Sequence, residues 1–321
     1  MSAPRVLVTG GTGFVGRWVV RNLVERGLAV VAFDHRAPDE KWAIVVGPQA
    51  DTVFIAVGSL LDRELLHALS VEHQITHIIH LAALLTPDCQ RDPFLGCQVN
   101  VLGSTALFDL ARLSAGKIQA IAHASSYAVY GPEADEGATA AQSTPASNEP
   151  NPPMFYGAYK LAVDLIADQY WRHFGVRSVG IRPHVIYGPE RTVGLTAGPS
   201  LAARAAALGQ PFTINYTGKV GYDYVEDVAE AFVCAALEAP PGAFVYDLPS
   251  EVATPQQFIA AIDQVIPGSA AHITAAGPLV PSNVPPQLNS ITGLLPDWRP
   301  TPLAVGVQKT IEFYRRHPAK G

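Results

Sequence analysis

This 321-residue sequence predicts an α/β fold: a doubly wound parallel sheet with a smaller C-terminal α/β part. Three observations predict it. A glycine-rich turn joins the first apolar run to the first helical pattern, an acid closes the second apolar run, and apolar runs alternate with helical patterns through the first half.

The turn lies in Val6-Leu7-Val8-Thr9-Gly10-Gly11-Thr12-Gly13-Phe14-Val15-Gly16. Arg5 to Thr9 reads as a buried strand, and Phe14 to Arg26 as a helix with Val15, Trp18, Val19 and Leu23 on its apolar face, stopping at Gly27. Gly10 then permits the tight turn, Gly13 lets backbone N–H groups approach a phosphate, and Gly16 lets helix and strand pack closely. A pyrophosphate placed there meets the positive end of a helix dipole. A glycine-rich turn alone also fits an ordinary loop, so the next strand matters. Leu28 to Phe33 ends in Asp34, 18 residues after Gly16, where a carboxylate accepts hydrogen bonds from a ribose and repels a 2′-phosphate. NAD is therefore expected rather than NADP, with His35 beside it. Arg36 is the counter-signal, since a guanidinium could pair with that phosphate.

Later elements follow in order. Val53 to Val57 and His77 to Leu81 are strands, with a short helix from Asp62 to Leu69 between them. A long helical pattern runs from Asp92-Pro93 to Leu113, and Ala120 to Ala124 form a fifth strand. The helix Phe155 to Phe174 ends at Gly175 with Arg172 and His173 in its last turn, and Arg177 to Ile181 is the sixth strand. Ligands of such a sheet bind at the carboxyl ends of its strands, beyond Thr9, Asp34, Val57, Leu81, Ser126 and Ile181.

The second half mixes helices with short strands: Val225 to Leu237, then Ala243 to Leu248, then a helix capped by Thr254-Pro255 and a last one begun by Thr301-Pro302 and running to Arg316. Prolines accumulate from Pro278 to Pro286. The expected division is a dinucleotide-binding domain over 1–180 and a mainly substrate-binding part over 181–321, with some segments returning to the sheet. Glu133 to Pro153, rich in Ala, Thr, Ser and Pro, reads either as a mobile flap or as an inert linker.

Composition narrows the function. With 48% hydrophobic residues, 16% charged and a net charge of −6, the chain can bury a large core and shows no basic stripe for nucleic acid. Met1-Ser2-Ala3-Pro4 leads into the first strand without a signal-peptide pattern. Apolar helical stretches such as Val225 to Leu237 are too short and too charged to span a bilayer. Cys89, Cys97 and Cys234 are odd in number and lack metal spacing, so they read as reduced thiols in a cytoplasmic protein without a metal.

Tyr156-Gly157-Ala158-Tyr159-Lys160 places a phenol and an ammonium four residues apart, on one face of a helix. A phenol of ordinary pKa about 10 is a poor base at neutral pH. A nearby cation favours the phenolate, so Lys160, together with the positive charge of an oxidised nicotinamide, is expected to bring Tyr156 into range for acid–base work and also to hold the nicotinamide ribose. Ser126, at the end of the fifth strand, would donate a hydrogen bond to a reacting carbonyl oxygen. Ser125 is expected to point to the other side of the pleat.

Taken together, Thr9 to Gly16, His80-Leu81-Ala82-Ala83, Asn100-Val101-Leu102-Gly103, Ser125 to Gly131, Tyr156 with Lys160, Arg182-Pro183, Tyr187-Gly188-Pro189, Tyr224 to Val228 and Trp298-Arg299-Pro300 resemble the extended short-chain dehydrogenase/reductase family, the branch holding nucleotide-sugar epimerases and dehydratases. The resemblance implies a Rossmann-type fold, NAD, and catalytic roles for Ser126, Tyr156 and Lys160. It places Ser59, Leu60, Leu81, Ala82, Ala83, Asn100, Pro183 and Val185 around the cofactor, and Leu85, Thr86, Tyr127, His184 and Arg191 around the substrate. It also implies a homodimer through a four-helix interface of Pro93 to Leu113 and Phe155 to Phe174.

The departures bear on substrate. Val185 stands where nucleotide-sugar members commonly carry Asn, and Val220 where they carry an Arg, with Lys219 the nearest cation; Ser59 replaces an acid at the adenine position. Losing both polar partners of a diphosphate points away from a nucleotide sugar. The expected activity is an NAD-dependent oxidoreductase acting on a carbinol carbon of a small polar substrate: a sugar, sugar acid or hydroxy acid. The alternative is an epimerase or dehydratase that recycles its NAD within each turnover.

Overall fold

In the computed structural model, residues 3–131, 149–280 and 289–318 are described. Seven parallel strands form the main sheet: β1 (Arg5–Thr9), β2 (Ala29–Asp34), β3 (Phe54–Val57), β4 (His77–His80), β5 (Ala120–Ala124), β6 (Ser178–Arg182) and β10 (Ala243–Asp247). Their order is β10-β6-β5-β4-β1-β2-β3. The chain runs from β1 outwards to β3 and then returns to place β4 on the other side of β1. The crevice where strand order reverses opens above β1 and β4, at their carboxyl ends.

The first six strands lie within two residues of the stretches expected for them. β10, read only as one short strand of the second half, pairs with β6 and extends the main sheet, with Tyr246 opposite Ile181. Residue 180 itself lies inside β6. Two small sheets complete the fold. One joins β7 (Val185–Tyr187), β9 (Val220–Tyr224) and β11 (Glu251–Ala253); the other pairs β8 (Phe212–Ile214) with β12 (Ile273–Ala275).

Helices cover both faces because the strands are apolar on both sides. On one face the helices Phe14–Glu25 and Val225–Leu237 pack Trp18, Val19 and Leu23 among Val228, Phe232 and Ala235. On the other, Leu66, Leu107, Phe108 and Val163 cover Leu7, Ile78 and Ile121.

Local signals explain the ends. Gly175 closes its helix at φ 67°, in the left-handed region. Thr254 and Gln257 form a reciprocal capping box with Pro255 in the first turn. The expected start at Thr301-Pro302 is correct in place but not in mechanism. Thr301 donates both its backbone N–H and its hydroxyl to Asp227, at 2.6 and 2.7 Å, and the helix Leu303–Arg316 begins without a side-chain cap.

Two expectations about long helices change. Pro93–Leu113 is not regular: residues Gln98–Leu102 form a π turn around Asn100. The same 21-residue helix is also long and apolar enough, by length and composition, to cross a membrane, which the expectation denied to every stretch; half of its most apolar window is buried in the fold. Residues 133–148 of the segment read as flap or linker, and residues 281–286 of the proline-rich stretch, lie outside the described residues.

Candidate active site

The glycine turn is shaped by contacts that only glycine allows. Gly10 sits at φ 70°, and a Cβ there would come 2.7 Å from the Ala82 backbone nitrogen. A Cβ on Gly16 would run into the Gly10 carbonyl. Gly13 caps the first helix without a side-chain hydrogen bond, and the first turn, begun by Phe14 and Val15, carries no acid. Its N–H groups are thus left for an anionic ligand. Asp34, buried at the end of β2, accepts from the backbone N–H of Thr12 at 3.2 Å and of His35 at 2.8 Å, and meets the His35 ring at 2.8 Å. Arg36 is exposed and donates to the His35 ring at 2.7 Å. Asp34, His35 and Arg36 therefore lie together beside the turn. The cradle and its carboxylate fit a dinucleotide with free ribose hydroxyls. Ser59 follows β3 and accepts the Leu61 N–H at 3.1 Å, while Leu60 is buried against Gly103.

Leu81, Ala82 and Ala83 leave β4 over this turn, with the Leu81 N–H donating to the Thr9 carbonyl at 3.0 Å. His80 below them bonds Thr9 at 2.7 Å and Ser104 at 2.8 Å. Burial, then the charges of Lys160 and His123, hold it far below the usual imidazole range, so it is neutral. Asn100 clamps Leu84 through both the N–H (2.8 Å) and the carbonyl (2.9 Å) of that residue.

Across the crevice, the helix Phe155–Phe174 presents Tyr156 and Lys160. It approaches closely because a Cβ on Gly157 would run into the Ala128 carbonyl. Ser126 caps the turn Tyr127–Val129, accepting the Ala128 N–H at 3.1 Å. Lys160 is buried, donates to the Ala124 carbonyl at 2.6 Å, and stands 5.6 Å from the centre of the Tyr156 ring. Burial pushes its ammonium down to about 8 against the pull of Asp164 and Cys89. Burial pushes the Tyr156 phenol up to about 12, opposed by a hydrogen bond with Ser126 and by the Arg191 charge. The phenol is thus raised by burial in this structure, with the Lys160 ammonium 5.6 Å from its ring centre. The Lys160 ammonium is bonded to the Ala124 carbonyl, and Arg191 adds a second cation acting on Tyr156.

Residues 6–246 match the model of the NAD dependent epimerase/dehydratase family. The chain belongs to that family. A UDP-glucose 4-epimerase of Mycolicibacterium smegmatis is 28% identical, aligned over 97% of this chain and 98% of its own. The solved UDP-glucose 4-epimerase of Thermus thermophilus, a complex with NAD, is 26% identical over 97% of this chain and 99% of that one, with TM-score 0.77. A partial-consensus L-threonine 3-dehydrogenase shares the fold at TM-score 0.81 and 22% identity, over 98% and 100% of the two chains. This epimerase/dehydratase family member is thus an NAD-dependent enzyme of the short-chain dehydrogenase/reductase type.

The rest of the family member's cleft differs in how its residues are held. Tyr127 donates its backbone N–H to the Pro183 carbonyl at 3.1 Å, and its ring lies 4.6 Å from that of His184. The His184 N–H donates to Asp223 at 2.6 Å, and burial pushes that carboxyl up to about 7. Val185 and Val220 are both core residues, and Lys219 is exposed. Leu85 is exposed, and Thr86 opens a short helix at the mouth. Arg191 donates to the Ile186 carbonyl and to the Thr196 hydroxyl, the latter at 2.9 Å. Burial pulls it down to about 10, against the phenols Tyr216 and Tyr156.

Sequence reasoning missed the polar layer under the site. Asp164 accepts from Ser125 at 2.8 Å and Arg182 at 2.8 Å and meets His123 at 3.2 Å. The i+4 spacing from Lys160 was the available signal. Among the described residues, no cluster of three or more His, Cys, Asp or Glu side chains is placed to hold a metal.

Proposed function

We propose that this enzyme transfers hydride at a carbinol carbon of a small acidic substrate, a hydroxy acid or sugar acid, with Tyr156 exchanging the hydroxyl proton. NAD supplies the hydride acceptor when bound in the glycine cradle beside Asp34. Ser126 orients the reacting oxygen, and Lys160 adds positive charge behind the phenol and holds the nicotinamide ribose. In this reading Leu81 to Ala83, Asn100, Pro183 and Val185 supply the remaining cofactor contacts.

The observation that carries the substrate class is Arg191. Two other enclosed arginines have an acid, Arg17 meeting Asp39 at 2.9 Å and Arg182 meeting Asp164 at 2.8 Å, while Arg204 lies over the Tyr314 ring. Among the described residues no carboxylate acts on Arg191, yet it is desolvated beside the phenol. A guanidinium kept in that condition suits a planar carboxylate carried by the substrate.

A second reading is the family's other chemistry, epimerisation or dehydration with NAD recycled internally. The end-to-end similarity to a UDP-glucose 4-epimerase favours it. The core packing of Val185 and Val220 favours the first, since neither position can ligate a diphosphate. As for assembly, exposed Phe94, Leu102, Leu165 and Phe174 on the helices Pro93–Leu113 and Phe155–Phe174 support a homodimer built on those faces.

The test is a panel of hydroxy acids, aldonates, matched neutral sugars and UDP-sugars, assayed for reduced-nicotinamide absorbance and for epimerised product. Net NAD reduction with acids, lost on Arg191→Met chiefly as a rise in KM, is expected. Epimerised UDP-sugar without net reduction would establish the second reading instead.

A further inference from the structure

We propose that Asp164 is a positioning residue of this site: one carboxylate fixes the ends of β5 and β6 against the helix bearing Tyr156 and Lys160, and keeps Lys160 in its ammonium form. The second half of the proposal rests on the role given to Lys160 above.

The geometry is a three-way tie. Asp164 lies one helical turn beyond Lys160 and is buried. Each group it meets adjoins a segment of the site. His123, at 3.2 Å, precedes Ala124, whose carbonyl accepts the Lys160 ammonium. Ser125, at 2.8 Å, precedes Ser126. Arg182, at 2.8 Å, precedes Pro183, whose carbonyl accepts the Tyr127 N–H. The other arm of Arg182 donates to the Tyr130 hydroxyl at 2.7 Å and faces Asp247 at 4.0 Å, so the tie continues to β10.

Charge acts on Lys160 in the same direction. The titratable groups facing Lys160 are Tyr156 and Asp164 from its own helix, Cys89 from the helix Thr86–Arg91 and His80 from β4, while His123 of β5 meets Asp164. His80 is held neutral. Asp164 is the carboxylate among the described residues that acts on Lys160. Although burial pushes its own carboxyl up, bonds and charge from His123 and Arg182 hold it below the ordinary range. It therefore remains an anion throughout the range in which the ammonium titrates. Removing that anion leaves Lys160 desolvated against a carbonyl alone, and its titration midpoint falls.

The test follows the lysine ammonium groups by NMR in protein labelled with 15N-lysine and loaded with NAD, so no substrate is needed. Lys160→Met assigns the signal by its loss. Asp164→Asn is expected to lower the Lys160 midpoint by about one pH unit or more, and Asp164→Glu to restore it to within about half a unit. Because Asp164→Asn strands Arg182, the charge-balanced Asp164→Asn/Arg182→Met is measured beside it. It is expected to show a fall in the same direction but smaller, since the distant Arg182 cation leaves together with the anion. A midpoint unchanged in either variant overturns the proposal, because a merely structural tie would not move it. Turnover retained by Lys160→Met would instead overturn the role of Lys160, which separates the two failures.

Discussion

Lys160 shows how a single residue can be held against its own preference. Its folded pKa, about 8, lies below the ordinary lysine value of 10.5, so between those values the unfolded chain binds the extra proton. Stability contributed by this group therefore rises with pH from about 8 to 10.5, and the strain of the buried ammonium is fully present below 8. At neutral pH, Lys160→Met removes that strain and loses one hydrogen bond to Ala124. Chemical denaturation is expected to show Lys160→Met more stable by on the order of 1–3 kcal/mol while turnover collapses. A less stable variant would mean that the ammonium is not strained in the fold. Arg191 belongs to the same class of residue, a cation retained where the packing alone gives no reason for it.

At the scale of elements, most of the architecture was legible because strand and helix each carry a local signature. Gly10, Gly13 and Gly16 between an apolar run and a 3.6-residue pattern specify the turn, and Gly175 specifies a helix end whatever surrounds it. What was not legible depends on partners distant in sequence. Ala243–Asp247 reads as any short strand until β6 offers an edge. Thr301 reads as a cap until Asp227 takes its hydroxyl. Asn100 lies in a helical pattern whose π turn follows from clamping Leu84. The two long helices carry the proposed homodimer, with Leu165 61% and Phe94 74% exposed. Leu165→Arg with Phe94→Arg is expected to sediment as a monomer where the parent sediments as a dimer, by analytical ultracentrifugation. A dimer that survives both charges uses another face.

Over the whole molecule, the glycine turn and the proposed trio of Ser126, Tyr156 and Lys160 come from opposite flanks of one crevice, because strand order reverses between β1 and β4. The placement of Tyr156 and Lys160 on one helix and of Ser126 just after a strand was legible in the sequence. The electrostatics of the trio were not. A second cation at the phenol, Arg191, comes from the loop after β7, and the anion supporting Lys160 is tied to β5 and β6. The placement of Arg191 was the least legible part, because the residues following β7 are placed by the small sheet and not by any local pattern.

The central claim is that the Tyr156 phenol handles the proton beside NAD held in the glycine turn. The most direct measurement takes Tyr156→Phe and the parent through the same two assays, NAD affinity by fluorescence titration and turnover on the substrate found by the panel. The account predicts NAD affinity within about twofold of the parent and turnover lower by roughly a hundredfold to ten-thousandfold. Turnover within about tenfold of the parent, at unchanged NAD affinity, would contradict it.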